Sequence, residues 1–434
     1  MNEKVFRDPI HNYIHVSDPI IYELINTREF QRLRRIKQVP TTSYTFHGAE
    51  HSRFSHCLGV YVIARKITKI FNTNYSDIWN SSETLITLVA ALLHDIGHGA
   101  YSHTFELLFQ TNHESYTQHI ITDPSTEIHQ ILLKVAPDFP KRVASVIDHT
   151  YHNKQVVQLI SSQIDCDRMD YLLRDSYYTA ANYGQFDLTR ILRVIRPTKD
   201  GIVFLQNGMH AVEDYIVSRY QMYMQVYFHP ASRAMEVLLQ NLLNRAKVLF
   251  QSNPEFFEKT SSRLVPFLNK TSTLHDYLAL DDGVMSTYFQ EWMNSDDLIL
   301  ADLAKRFINR KVFTSLIFSD NQEKEIAQLK SLIANVGFDP KYYSGVHISF
   351  DLPYDIYRPS KSNPRTQIEI LHKDGQVSEL SKLSPIVNAL TGANYGDKRF
   401  YFPKEMLSQN SIFKDEVDKF ISIYTGFDNE LSSR

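Results

Sequence analysis

His94 and Asp95 stand side by side at the end of an apolar run, residues 85–93, and are followed by Gly97 and Gly99. Imidazole and carboxylate are good ligands for a divalent ion, and such an ion can make water nucleophilic near neutral pH. A buried helix seldom ends on two ionisable groups unless they have a partner. Two other segments offer partners: His51-Ser-Arg-Phe-Ser-His56 upstream and Asp165-Cys-Asp167-Arg168-Met-Asp170-Tyr171 downstream. Together His56, His94, Asp95 and Asp167 give two imidazoles and two carboxylates, a set that suits iron, manganese, nickel or zinc better than calcium. Four protein ligands leave octahedral positions for water and substrate oxygen, the layout of a catalytic site rather than a closed structural one. Adjacent helical residues point ~100° apart, so His94 and Asp95 can share an ion only at the helix end, where the glycines let the chain open. Each residue taken singly reads as an ordinary polar side chain. The ordered set, H…HD…D on successive helices, argues against accident.

The elements that must position these residues are mainly helical. Helical patterns begin at Glu29, Phe54, Thr84, Glu127, Arg142 and Asp167. Ahead of them, Val5-Phe6 and residues 13–16 flank Asp8-Pro9 and Asn12, which predicts a short hairpin. Asp18-Pro19 marks a helix start. Residues 201–206 read as a strand, and residues 209–250 as a long helical stretch that Pro230 should kink or break near His229. After residue 260 the texture changes. Residues 346–352, 366–372 and 398–402 alternate like strands, Lys373-Asp-Gly-Gln376 reads as a two-residue hairpin turn, and a helix closes the chain after about Phe413. The expected fold is mainly α: a helical core with an N-terminal hairpin over residues 1–260, and a smaller α+β region over 261–434 packed on it.

With 434 residues, 43% of them apolar, the chain has enough material for a large core. A net charge of −3 gives no global field for nucleic acid or membranes. Cys57 and Cys166 cannot by themselves build a disulfide framework or a thiolate zinc site. The N-terminus is polar, and the longest strongly apolar run falls far short of the ~20 residues that span a bilayer. A soluble, cytoplasmic protein is expected.

Several longer motifs occur in one order: KVFRDPIH from Lys4, EFQRLRRIKQ from Glu29, HSRFSHCLG, HDIGHGAYSHTFE and IDCDRMDYLLRD. Through them the chain resembles the HD-superfamily deoxynucleoside triphosphate triphosphohydrolases, particularly the dGTP-activated bacterial members and the catalytic domain of the animal enzyme with an added SAM domain. The resemblance covers at least the first 250 residues; the C-terminal strands are similar only to the bacterial members. It implies an HD-type helical core and hydrolysis of a dNTP to deoxynucleoside and triphosphate. It also implies one divalent ion (iron, manganese, nickel, zinc or magnesium) on His56, His94, Asp95 and Asp167, and Mg²⁺ with the nucleotide.

By the same resemblance His103 is the candidate general acid beside the α-phosphate, oriented by Glu106 and His113, and His98 contacts phosphate. Arg53, Arg168 and Arg219 match phosphate contacts, and arginine supplies forked, permanently charged donors. Tyr171 and Asp175 lie one helical turn apart and so share a face; the family uses these positions to crowd the 2′ position and to bond the 3′-hydroxyl. Gln38 matches a sugar contact and Tyr227 a residue near the base, although core packing also accounts for both tyrosines. The resemblance further implies a homotetramer activated by a nucleotide such as dGTP at an inter-subunit site, here Lys4, Val5, Gln31, Arg34 and Arg190. Two positions depart from the animal enzyme: Asn26 replaces a guanine-reading aspartate and Pro230 a phosphate-binding lysine. Two alternatives stay open: an HD phosphohydrolase acting on another nucleotide phosphoester, and a non-enzymatic nucleotide sensor.

Overall fold

The computed structural model describes residues 3–351, 354, 367–391 and 395–424. The chain opens with the expected hairpin, β1 (Lys4–Asp8) and β2 (Asn12–Val16), in which Asp8 faces Asn12. Asp8 Oδ1 accepts the backbone N–H groups of Ile10 and His11, at 2.9 Å each, so one carboxylate builds the turn. Asp18 then caps α1 (Pro19–Ile25), with proline in the first turn, and Thr27 caps α2 (Arg28–Arg32).

Five helices carry the residues of chemical interest: α3 (Arg53–Asn74), α4 (Glu83–Leu93), α5 (Ser102–Phe109), α6 (His113–Thr122) and α7 (Cys166–Thr179). α4 is buried along nearly its whole length, which is why its apolar residues are not confined to one stripe. α3 packs on both α4 and α7. At the crossing with α7, a Cβ on Gly59 would stand 1.8 Å from Asp170 Oδ1 and 2.5 Å from an Arg174 terminal nitrogen. Only glycine lets these two helices approach so closely.

Further along, α8 (Met209–Met222) runs into one π-helical turn, Tyr223–Tyr227, before α9 (Pro230–Ser252) begins. The break near His229 is therefore present. Pro230 does not kink a continuous helix; it occupies the first turn of a new one, where its missing N–H costs nothing. α10 (Leu274–Leu278) and α11 (Asp282–Trp292) follow.

Two small sheets complete the fold. One is ordered β3–β4–β7–β8, from β3 (Ile195–Thr198), β4 (Gly201–Leu205), β7 (Glu369–Leu371) and β8 (Val377–Glu379). The other is ordered β5–β9–β6, from β5 (Phe313–Phe318), β6 (Gly345–Asp351) and β9 (Tyr395–Pro403). The predicted strand ends at Leu352 and Thr366 lie outside the described residues. The β7–β8 connection is longer than the two-residue turn read from Lys373–Gln376. His372 N–H donates to Gln376 O at 2.8 Å, and in this loop Gly375 alone takes a positive φ, 87°, whereas a type I′ turn needs two such residues. The closing helix spans Ser411–Tyr424.

Two apolar cores result, and they exchange elements. The first gathers buried residues from Ile14 to Val226 together with Ile368, Ile370 and Leu380. The second runs from Ala234 to Phe420 but also takes Tyr101, Phe105 and Leu108 from the loop and helix after His98. The architecture is mainly α, as expected. Among the described residues no helix is long and apolar enough to cross a membrane.

Gly59→Ala should lower the thermal unfolding midpoint by an amount worth about 1–3 kcal/mol, the cost of overpacking a close helix crossing. An unchanged midpoint in a calorimetric scan would show that α3 and α7 can separate freely.

Candidate metal centre and active site

Four side chains converge where α3, the end of α4 and the start of α7 meet. His56 Nε2 lies 3.0 Å from Asp167 Oδ1 and 3.8 Å from Asp95 Oδ2. His94 Nε2 lies 3.5 Å from both Asp167 Oδ1 and Asp95 Oδ1, and 3.3 Å from His56 Nε2. The far nitrogen of each ring is already engaged: His56 Nδ1 donates to Asp170 Oδ2 at 2.8 Å, and His94 Nδ1 to Ala91 O at 3.0 Å. Both Nε2 atoms thereby face the same space beside the two carboxylates. A donor set of this kind fits a divalent cation. The geometric tension over adjacent ligands is resolved as anticipated, since α4 ends at Leu93. Burial opposes a charge on His56, but Asp167 and Asp170 outweigh it and hold its pKa at about 10. The metal-free site thus carries a proton that an incoming ion must displace.

Behind His56 lies a fully buried ionic network. Asp170 accepts from His56, from His11 Nε2 at 2.6 Å and from Arg174 Nε at 2.7 Å. Arg174 continues to Asp8 Oδ2 at 2.9 Å. The N-terminal hairpin is therefore tied through Asp8 and His11 to the residue that orients a metal-ligand imidazole. Asp170, Arg174, Asp8 and His11 were not among the predicted site residues. The available signal was the position of Asp170 and Arg174 in IDCDRMDYLLRD, three and seven residues after Asp167.

A second cluster adjoins the first. Glu106 Oε1 accepts from His113 Nδ1 at 2.9 Å, and His103 Nδ1 lies 3.5 Å from Glu106 Oε2. Burial works against the Glu106 charge, but its bonds to His103 and His113 hold its pKa well below the ordinary value. Burial likewise disfavours the His113 imidazolium, and Glu106 and Asp95 reverse that. His98 stacks on His113 at 4.0 Å and 15°, bonds Ser102 Oγ at 2.9 Å and lies 3.3 Å from Asp95 Oδ1. Burial and then Arg53 push the His98 pKa down to about 3, so its ring is neutral. Although His98, Glu106 and His113 could hold an ion by proximity, the stacked rings carry their in-plane lone pairs side by side rather than converging. The arrangement is better suited to moving a proton. His103 is the exposed end of this chain, with its side chain 77% accessible.

The loop between the clusters is strained. Tyr101 and Ser102 both have positive φ, 52° and 46°, a conformation costing of order 1–3 kcal/mol per residue unless its surroundings enforce it. Ser102 Oγ accepts from Arg53 at 3.1 Å while bonding His98. Arg53 also pairs with Asp95 and so joins the two clusters.

Arg168 pairs with Asp165 at 2.5 Å, and Arg219 donates to Gln163 Oε1 at 3.2 Å and lies over the Tyr223 ring. Asp175 is buried, accepting from His51 Nε2 and from the Tyr227 hydroxyl at 2.7 Å each. Tyr171 packs edge-on against Tyr227 with ring centres 6.2 Å apart. Gln38 N–H donates to His51 O, and its buried Oε1 has no hydrogen-bond partner among the described residues. The structure thus brings together Tyr171, Asp175, Tyr227 and Gln38, with His51 as the member that sequence reasoning quoted but did not assign.

Of the expected regulatory residues, Arg34 Nε bonds Gln31 Oε1 at 2.8 Å, and Lys4 lies over the Tyr22 ring at 5.7 Å. Val5 is half exposed on the same hairpin. Asn26 turns its amide onto Tyr22 O at 2.7 Å. Arg190 bonds Asn207 O at 2.5 Å, and no bond among the described residues ties it to the others.

The HD domain model matches residues 53–175 and the HD associated region model residues 186–423. The uncharacterized protein YwfO of Bacillus subtilis is 52% identical over 93% of each chain. A Dictyostelium discoideum protein named as a deoxynucleoside triphosphate triphosphohydrolase homolog is 28% identical over 70% of this chain and 65% of its own length. Among solved structures, a phosphohydrolase from Bacteroides thetaiotaomicron superimposes with a TM-score of 0.78 at 26% identity, covering 92% of this chain and all of that one.

Asp170→Asn should weaken divalent-metal binding about 10- to 100-fold, because an outer-shell carboxylate orients the ligand ring. Metal affinity of the wild-type protein should rise with pH between about pH 6 and 9, with proton release on binding. Titration calorimetry in buffers of different ionisation heat checks both; a pH-independent affinity would contradict the protonated His56.

Proposed function

This chain belongs to the HD-domain family whose members carry an HD-associated region, and from that premise we propose that it hydrolyses deoxynucleoside triphosphates to deoxynucleoside and inorganic triphosphate. It is a hydrolase of the HD superfamily with a His/Asp cluster able to hold a divalent metal. The observation that carries the finer reading is the His103–Glu106–His113 chain beside that cluster. A divalent ion held by His56, His94, Asp95 and Asp167 would supply Lewis-acid polarisation of a phosphoryl oxygen and activation of water. Attack at the α-phosphorus expels the 5′-oxygen, which needs a proton. His103, at the exposed end of the chain, is assigned as the donor, with Glu106 fixing its ring and His113 sharing the charge.

A triphosphate brings about four negative charges, and Arg53, Arg168 and Arg219 are assigned to them. Gln38, Tyr171, Asp175 and Tyr227 are assigned to the sugar and base, and His98 to phosphate as a neutral hydrogen-bonding ring. Asp175 accepts one bond on each oxygen, from His51 and from Tyr227, and each oxygen keeps a lone pair with which to accept a 3′-hydroxyl. A nucleotide such as dGTP is assigned as activator at Lys4, Val5, Gln31 and Arg34, with Arg190 supplied by another copy in a homotetramer. Residues 261–434 are assigned to assembly.

Metal-replete protein incubated with each dNTP, alone and with dGTP, should release deoxynucleoside and intact triphosphate on a chromatographic column. Orthophosphate, pyrophosphate or faster monophosphate cleavage would overturn this reaction. His103→Ala should retain metal and lose about 10²- to 10⁴-fold in kcat, the usual worth of a general acid. Tyr171→Ala should keep metal and lose preference for deoxy- over ribonucleotides; an unchanged preference would remove Tyr171 from the sugar site.

A further inference from the structure

Arg32 is 2% exposed, and among the described residues all of its hydrogen bonds go to carbonyl oxygens rather than to a carboxylate. It donates to His98 O at 2.8 Å, Leu280 O at 3.1 Å and Tyr277 O at 3.4 Å, and stands over the Tyr277 ring at 5.4 Å. A buried guanidinium without a carboxylate partner is costly, and burial pulls its pKa down. Such an arrangement persists where the forked donor holds several chain segments at once.

The segments it holds matter. Tyr277 donates through its hydroxyl to Gly97 O at 2.7 Å, and a Cβ on Gly99 would stand 2.8 Å from that hydroxyl. Asp282 accepts the N–H of strained Tyr101 at 2.9 Å and that of Lys37 at 2.8 Å. The Tyr101 hydroxyl meets Ser286 Oγ at 2.9 Å. The loop between α4 and α5 is thus gripped from α10 and α11, and Arg32 is the member contributed by α2. Gln31 and Arg34 flank Arg32 in sequence and bond each other on a more exposed face.

We propose that Arg32 is a positioning residue that couples the Gln31–Arg34 face to the catalytic loop through its bond to the His98 carbonyl. A nucleotide seated against Gln31 and Arg34 would shift α2, and Arg32 would carry that shift to His98 and so to Ser102 and His113. The coupling rests on the proposed activator site; the grip on the loop does not.

The test compares wild type with Arg32→Lys, which keeps the charge but cannot bridge three carbonyls, and with the milder Tyr277→Phe, which deletes only the bond to Gly97. Hydrogen–deuterium exchange of residues 97–102 should quicken in both variants while their unfolding midpoints stay within a few degrees of wild type. With metal and dNTP, kcat of Arg32→Lys should fall about 10- to 100-fold, the cost of a misplaced catalytic group. KM should change less than kcat, since the sugar and base contacts lie outside the loop, and stimulation by dGTP should be lost. Unchanged loop exchange in both variants would overturn the proposal whatever the substrate. A wild type that turns over dNTPs without stimulation, or an Arg32→Lys enzyme stimulated as fully as wild type, would overturn the coupling. A wild type with no dNTP turnover would instead overturn the proposed function, and loop exchange alone would then decide the grip.

Discussion

The site depends on one buried carboxylate. Asp170 has no exposed surface and accepts hydrogen bonds from His56, His11 and Arg174. Leaving any of these groups unpaired in the interior would cost several kcal/mol, so the hairpin, α3 and α7 are locked in one relative placement. That placement sets the direction in which the His56 Nε2 lone pair points. Gly59 makes it possible, since any side chain there would occupy the space of the Asp170 carboxylate. The N-terminal hairpin, which has little core of its own, thereby becomes part of the candidate metal centre.

Electrostatic logic then divides the adjoining residues. His56, His94, Asp95 and Asp167 form a compact two-imidazole, two-carboxylate set whose mutual repulsion and attraction a cation balances. In the adjoining cluster, Glu106 keeps its charge against burial because two imidazoles bond it, while His98 between the clusters stays neutral. The two clusters can therefore hold opposite tasks, retaining a cation and moving a proton, a few ångströms apart. Arg53 bonds Asp95 and reaches the second cluster through Ser102, and the strained Tyr101–Ser102 backbone links the two. Tyr101, Phe105 and Leu108 lie in the second core, so this segment packs among residues of the C-terminal region.

Much of this was legible in the sequence, for physical reasons. Residues 85–93 had to form a buried helix, and the His-Asp pair with two glycines had to stand at its end. Asp18-Pro19 and Pro230 both start helices, as local backbone chemistry requires. The hairpin at Gly375 was found but its turn type was not, because Asp-Gly serves two-residue and longer turns alike. What could not be read was long-range pairing. Asp8 reaches Arg174 and His11 reaches Asp170 across some 160 positions, and Arg32 reaches Tyr277 and Leu280 across some 245. No periodicity or spacing reports such contacts; only the packed fold brings them together.

The claim on which the rest turns is that water attacks the α-phosphorus. Turnover of a dNTP by the metal-replete protein in heavy-oxygen water, followed by mass spectrometry of both products, tests it directly. The account predicts one heavy oxygen in the released triphosphate and none in the deoxynucleoside. Heavy oxygen in orthophosphate or pyrophosphate, or on the 5′-carbon of the deoxynucleoside, would contradict it.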